Sequence, residues 1–523
     1  MTYKEVEALY LSKKDQETLE ALITFFEYHH NNQKVLYYIV DCFCELKRYF
    51  EGLNFVLPKI DNKTFFHNRY SGIIRKLIKG ILDSFYDKEK SEIIDIEKYG
   101  EYVNLLKKLW MEYGEKIYLS TYGFECRKMN WQNEFLLLLH SIDDESIIND
   151  QYVNNAKIWC LYDLNIKSFN ITKNTNESEI EYFFIEAEKI VSNCSQEDIN
   201  NYYNNPYGLT IVKAVKILNQ RAHCNHKEII KWLERLDVNK LPADDEKQYI
   251  NSFGRECENA STREFYYYQL ARAYEKAEEY EKCINICKKA LLEDLNFHYK
   301  NKLWLKSRML YCECQIANDK QIAINNYKKI VDKNDFWFMR HKLACVYFNN
   351  NMLKEALKYN CLAFDIEQED KKLINIIYDL AYILETLKYD NAAKIFFLEY
   401  IKIRNKYSWD IPYDIEIKAR LYNLDLKTSK KVNLHVLKNM CYDLLVSVNH
   451  FFEGRVKYFT KNNMSGFIKL KKGCEIFFNK HQVKFRNDIK IGDIVLFEIV
   501  ENKKGNKAIN IIKKEKNNGK HTY

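Results

Sequence analysis

Proline and glycine are scarce in this chain, with 4 Pro and 14 Gly among 523 residues. Both residues interrupt regular helices, so their rarity suits long helices joined by brief polar turns. Long apolar runs are missing as well. The longest, Phe135 to Leu139, is far too short to cross a bilayer, so no membrane association is expected. The opening residues Met1–Glu7 offer neither a basic start nor an apolar core of signal-peptide length. The fifteen cysteines are odd in number and scattered without framework spacing. That usage fits reduced core thiols and a cytoplasmic location.

Catalytic signatures are equally sparse. The chain carries no Walker loop, dinucleotide fingerprint, nucleophile elbow or His-Glu-x-x-His helix. Cys42-x-Cys44 and Cys312-x-Cys314 fall within helices, where i and i+2 point to different faces. His223-Cys224-Asn225-His226 needs two further ligands that no local motif supplies. The acidic clusters Asp143–Glu145 and Asp244–Glu246 lie in polar breaks without a partnering Lys, His or second acidic motif. The sequence therefore leads us to expect no catalytic residue, no metal site and no cofactor: a binding protein, not an enzyme.

What is present is helical periodicity and then an abrupt change near residue 450. A chain of 523 residues exceeds one domain. Apolar residues at i, i+3, i+4 and i+7 over 101–113, 181–194 and 209–236 argue amphipathic helices. Between 265 and 400 a pattern recurs. One copy holds Leu270, Ala271, Tyr274, Tyr280, Cys283, Cys287 and Ala290. A second has Leu310, Tyr311, Ala323, Tyr327 and Ile330. A third has Leu343, Ala344, Tyr347, Ala356 and Ala363; a fourth, Leu380, Ala381, Leu384, Ala393, Phe397 and Tyr400. The equivalent leucines are separated by 40, 33 and 37 residues. Ile39, Val40, Phe43, Tyr49, Gly52, Val56 and Pro58 suggest one more copy, whereas no register can be indexed over 60–260. These copies resemble tetratricopeptide repeats, whose period is about 34 residues. The resemblance implies stacked helical hairpins with an extended surface for a protein or peptide partner.

After residue 450 the segments become short, β-branched or aromatic, and bounded by Gly, Asn and Lys. They run Gly454–Phe459, Ser465–Ile468, Ile476–Asn479, Gly492–Glu501 and Ala508–Ile511, which is the pattern of antiparallel strands and turns. In this order the set resembles the cold-shock domain of the OB-fold class. The resemblance implies a small barrel that stacks the bases of a single strand on exposed rings while cations track its phosphates. Carried across, it assigns Lys457 and Tyr458 on the first strand, Phe467 on the second and Phe477 on the third, with Phe478 in the core. Arg455 and Lys461 are cations for the phosphate path. Ser465 stands where the family has a stacking ring; Asn479 and Lys480 stand where it has a His and a second aromatic, and by that position they join the expected nucleic-acid-binding residues. About half of the usual platform is thus replaced.

Charge follows the same boundary. Residues 450–523 hold 17 basic and 7 acidic side chains, a net +10, while the whole chain is +8. The basic excess therefore belongs to the last module, as expected of a phosphate-backbone binder. The expected architecture is mainly α: a divergent helical region over 1–245, tetratricopeptide-like repeats with capping helices over 246–450, the cold-shock-like barrel over 451–513, and a basic tail over 514–523. The expected function is an adaptor that binds single-stranded RNA or DNA on the barrel and a protein partner on the helices. The competing expectation is a protein-interaction regulator whose barrel has become a docking module without nucleic-acid binding.

Overall fold

The computed structural model describes all residues except 30–31, 60–69, 173, 196–198, 200–204, 222–223, 251–253, 335, 367–368, 429, 449–450, 461–463, 472, 484–487, 503–504 and 515–523. The chain divides into two compact units, Met1–Pro242 and Ala243–Tyr523.

Among its described residues the first unit is helical apart from a two-residue ribbon, Tyr86–Asp87 with Glu92–Ile93. The periodic segments fall largely on helices Ile96–Tyr113, Glu177–Asn193, Pro206–Gln220 and His226–Leu233. The 209–236 segment is thus two helices, broken where Asn225 caps the second by accepting from Glu228 N.

In the second unit a short ribbon, Gln248–Ile250 with Glu256–Glu258, precedes, among the described residues, ten helices: α1 Thr262–Lys276, α2 Tyr280–Leu292, α3 Asn301–Ile316, α4 Lys320–Lys333, α5 Trp337–Asn349, α6 Leu353–Ile366, α7 Asp370–Thr386, α8 Asp390–Lys406, α9 Tyr413–Tyr422 and α10 Leu434–Val448. They form a tetratricopeptide-like solenoid of consecutive hairpins. Leu270, Ala271, Cys283, Cys287 and Ala290 are buried in the first hairpin, Leu343, Ala344, Ala356 and Ala363 in the third, and Leu380, Ala381, Ala393 and Phe397 in the fourth.

The turns give the repeat a backbone signature. At Glu278, Asn351 and Lys388 a non-glycine residue takes the left-handed conformation, with φ of 61°, 58° and 66°. The following N–H reaches back five residues: Glu279 to Tyr274 O and Met352 to Tyr347 O at 2.9 Å, Tyr389 to Leu384 O at 2.8 Å. This is the Schellman closure that satisfies a helix's last carbonyls. The same turn occurs at Lys47, inside the N-terminal copy read from sequence, where Arg48 N donates to Phe43 O. It occurs again at Asn130, where Trp131 N donates to Cys126 O, in a region without a legible register.

The second hairpin departs from this. Here α3 ends at an extended Ala317, and α4 begins at Asp319, which accepts from Ile322 N. Helix α4 buries Ile324, Tyr327 and Val331, where the sequence pattern had suggested Ala323, Tyr327 and Ile330. Tyr327 is common to both sets, and the 40-residue step from Leu270 to Leu310 comes from the longer connection between α2 and α3, residues 293–300.

Past α10 the chain forms a closed five-stranded barrel: β1 Phe452–Phe459, β2 Ser465–Leu470, β3 Glu475–Asn479, β4 Ile494–Asn502 and β5 Gly505–Lys513. Their order around the barrel is β1-β2-β3-β5-β4. The β3–β5 pairing is parallel, and β1 closes antiparallel on β4. This is an OB-like barrel. Its interior holds Val456, Ile468, Ile476, Phe478, Ile489, Val495, Phe497, Ala508 and Ile511.

One outer face of the barrel is also covered. Leu496 and Ile512, cross-strand partners on β4 and β5, belong with Phe451 to the core of the helical array, alongside Leu437, Cys441 and Leu445 of α10. Polar contacts frame this seam. Lys358 on α6 pairs with Glu498 on β4, and Lys514 pairs with Asp443 of α10 at 3.3 Å. Tyr442 donates to Asp365 of α6 at 2.6 Å. The barrel is therefore docked on the last repeats, with β1, β2 and β3 turned elsewhere.

Candidate nucleic-acid interface

The candidate face is built by cross-strand pairing. On β1 and β2, Tyr458 faces Phe467; on β2 and β3, Phe467 faces Phe477. Partners across a ladder point to the same face, so the three rings form one row. Ring centroids are 5.2 Å apart for Tyr458 and Phe467, and 5.6 Å for Phe467 and Phe477. Tyr458 is 41% exposed, and the other two are half-buried. Phe478 points inward and is fully buried.

A β-bulge puts Tyr458 outside. The ladder pairs Val456 with Ile468 and then Tyr458 with Phe467, skipping Lys457. Strict alternation from the buried Val456 would carry Tyr458 into the barrel. The extra residue re-aims it, so Lys457 and Tyr458 are both exposed and Phe459 turns in, edge-on to Phe478.

Gly466 permits the close packing behind this row. A Cβ there would overlap the Tyr458 carbonyl and lie 2.7 Å from the Phe478 ring.

Cations lie beside the rings. Arg455 and Lys469 are direct partners across β1 and β2, and both are exposed. Two like charges in this register repel, at a cost of about 0.2–1 kcal/mol, which a phosphate between them would relieve. With Lys457 and Lys471 they line a shallow recess of about 340 Å³, whose acidic member is Glu453. Arg455 also donates to Gly492 O at 3.3 Å. Lys457 is partly engaged: its ammonium pairs with Glu475 on β3, which holds the lysine pKa above its ordinary value.

The structure thus brings together Arg455, Lys457, Tyr458, Phe467 and Phe477. Asn479 ends β3 two residues beyond Phe477 and pairs with Ser465 of β2, on the same face of the sheet, and Lys480 begins the turn that follows. The Asn479 side chain accepts from His481 N and caps a short helical turn. Lys480 rests 5.0 Å from the Phe459 ring and 3.9 Å from Asp488. Ser465, in the position of a family ring, bonds Thr460 Oγ1 at 2.8 Å and ties the β1–β2 connection. Lys461 and most of the basic tail lie outside the described residues.

Three participants escaped the sequence reading. Lys469 follows Phe467 by two residues and was accessible from alternation alone. Glu475 pairs with Lys457 only once β3 lies beside β2. Lys507 is the parallel partner of Phe477 and flanks the row only because the barrel closes.

No protein-family model and no curated protein matches the chain. Among solved structures it is similar to the TPR domain of P58(IPK), at 12% identity and a TM-score of 0.19 over 74% of this chain and 97% of that one. It is also similar to a dimer of human IFIT1 with m7Gppp-AAAA, at 14% identity and a TM-score of 0.28, covering 83% of this chain and 92% of that one. A human IFIT1 dimer with PPP-AAAA gives 13%, 0.27 and the same coverage. Superpositions this loose carry no argument about the site. The class is defined by the molecule's own geometry: a helical-repeat protein with an OB-like barrel docked at its C-terminal end. Among the described residues no helix is long and apolar enough to cross a membrane.

Proposed function

We propose that the chain is a non-enzymatic, cytoplasmic adaptor whose barrel binds single-stranded RNA or DNA in the manner of a cold-shock domain, while its helical array engages a protein partner. The observation that carries this reading is the continuous row Tyr458–Phe467–Phe477 with the repelling pair Arg455 and Lys469 at its side. Rings spaced across a sheet accept successive bases at about 1–3 kcal/mol each, without sequence preference. The adjacent cations favour the backbone through counterion release. With Ser465 and Asn479 committed to internal hydrogen bonds, the platform is shorter than that of a full cold-shock domain, and binding is correspondingly salt-sensitive.

The docking-module alternative also has an observation in its favour, since the barrel already buries Leu496 and Ile512 against the array. That contact uses β4 and β5 and leaves the aromatic row unused, which favours the nucleic-acid reading. The test is fluorescence anisotropy of the full chain with labelled RNA and DNA oligonucleotides from low to moderate salt. Saturable binding that weakens with salt and with Phe477→Ala supports the proposal. A folded chain that binds neither oligonucleotide at low salt overturns it.

A further inference from the structure

The helical array holds a second cluster with no role in the barrel's chemistry. His341 and Cys345 sit four residues apart on α5, hence on one helix face, and Asp379 meets them from α7 of the next repeat. His341 Nε2 lies 2.7 Å from Asp379 Oδ2, Cys345 Sγ lies 3.4 Å from the same oxygen, and Sγ lies 3.8 Å from Nε2. We propose that these three side chains form a divalent zinc site that clips neighbouring repeats together.

The argument is geometric. Tetrahedral Zn²⁺ with ordinary Zn–S, Zn–N and Zn–O bonds places its ligand atoms about 3.4–3.6 Å apart. The two sulfur edges already stand close to this, and the third opens from a hydrogen bond by well under 1 Å. The three donors are a borderline-soft set that suits zinc better than magnesium or calcium, which take oxygen shells. Three protein ligands leave a fourth position for water, and Asp379 is 31% exposed, so solvent reaches that side. A cysteine–histidine–aspartate nucleophilic relay would need thiol and carboxylate on opposite ring nitrogens. Here both converge on Nε2, which is the arrangement of a shared ligand point.

The probe is Co²⁺ titrated into the reduced full-length chain, with Cys474→Ser as background to remove the exposed thiol. One equivalent should produce the intense visible bands of tetrahedral cobalt and a thiolate-to-metal absorption, and Zn²⁺ should displace both. Cys345→Ser should abolish the thiolate band. Asp379→Asn should weaken binding at least tenfold, as should His341→Gln. Added Zn²⁺ should raise the melting temperature of the parent chain and not of Cys345→Ser. All three replacements are close in size, and a cooperative thermal transition in each is the check that it remains folded. Absence of a thiolate band at stoichiometric Co²⁺, or its persistence in folded Cys345→Ser, would overturn the proposal.

Discussion

Lys358 on α6 and Glu498 on β4 form an ion pair between residues 140 positions apart, with side chains only 13% and 19% exposed. Asn510 of β5 donates to the other carboxylate oxygen. Replacing Lys358 by Met leaves the glutamate half-buried with one partner fewer, and should cost about 1–3 kcal/mol. Chemical denaturation of the full chain would measure it. A change below 0.5 kcal/mol, the scale of ordinary surface substitutions (about ±0.5 kcal/mol), would show that the pair contributes little to docking.

On the aromatic row, Phe467→Ala and Phe477→Ala should each weaken nucleic-acid binding by about 1–3 kcal/mol while leaving the salt slope nearly unchanged. Lys469→Ala and Arg455→Ala should do the opposite, lowering affinity alike for all sequences and flattening the slope. Anisotropy across a salt series separates the two classes.

Glu475 gives a prediction of increased affinity. It neutralises Lys457 beside the rings, so Glu475→Gln frees that ammonium for a phosphate. Binding at low salt should tighten and its salt dependence should steepen by roughly one ion. Unchanged or weaker binding in the folded variant would mean that phosphates do not approach Lys457.

In the array, Glu275 is buried between Arg308, at 2.9 Å, and Lys342. Burial raises its pKa, but Lys342 and Arg308 outweigh that effect and hold the carboxyl below its ordinary value. Arg308→Ala removes one partner from a buried carboxylate and should destabilise the unit by about 3–5 kcal/mol. Denaturant titration reads this directly, and replacement by Lys should recover only part of it.

His298 supplies a pH dependence. Its ring lies 2.8 Å from Glu264 and 3.2 Å from Glu258. Burial lowers its pKa, but the two carboxylates raise it more, so the net shift is upward. A folded-state pKa above the unfolded value means a stabilising contribution that is complete below about pH 6.5. It is lost as pH rises through the folded value. The difference in melting temperature between the parent and His298→Gln should therefore shrink from pH 6 to pH 9. A constant difference would show that the imidazole does not titrate against these glutamates.

Much of this molecule was legible in its sequence, for reasons that particular residues make plain. The repeat leucines and alanines specify helix packing locally, and Phe467 and Phe477 follow from strand alternation once a family pattern fixes which neighbour faces in. The rest depends on contacts that alternation does not encode. Tyr458 reaches the surface through a bulge, an insertion in pairing that one strand cannot announce. Glu475 and Lys507 join the site through barrel closure. Asn479 and Lys480 were assigned to the interface by family position, yet a turn after β3 takes Asn479 for its cap. The uninterrupted runs Val495-Leu496-Phe497 and Ile511-Ile512 did carry a signal, since strands apolar on both sides are buried on both sides. That signal marks the face against α10.

The shared core of Phe451, Leu496 and Ile512 has a consequence for direction. A barrel on a loose leash would present its rings at any angle, and a strand held there could point anywhere. This barrel has no such swivel. Under the proposed function, a strand lying across β1, β2 and β3 would take a fixed compass bearing relative to α6 and α10, so a partner held on those last repeats would always meet the same end of it.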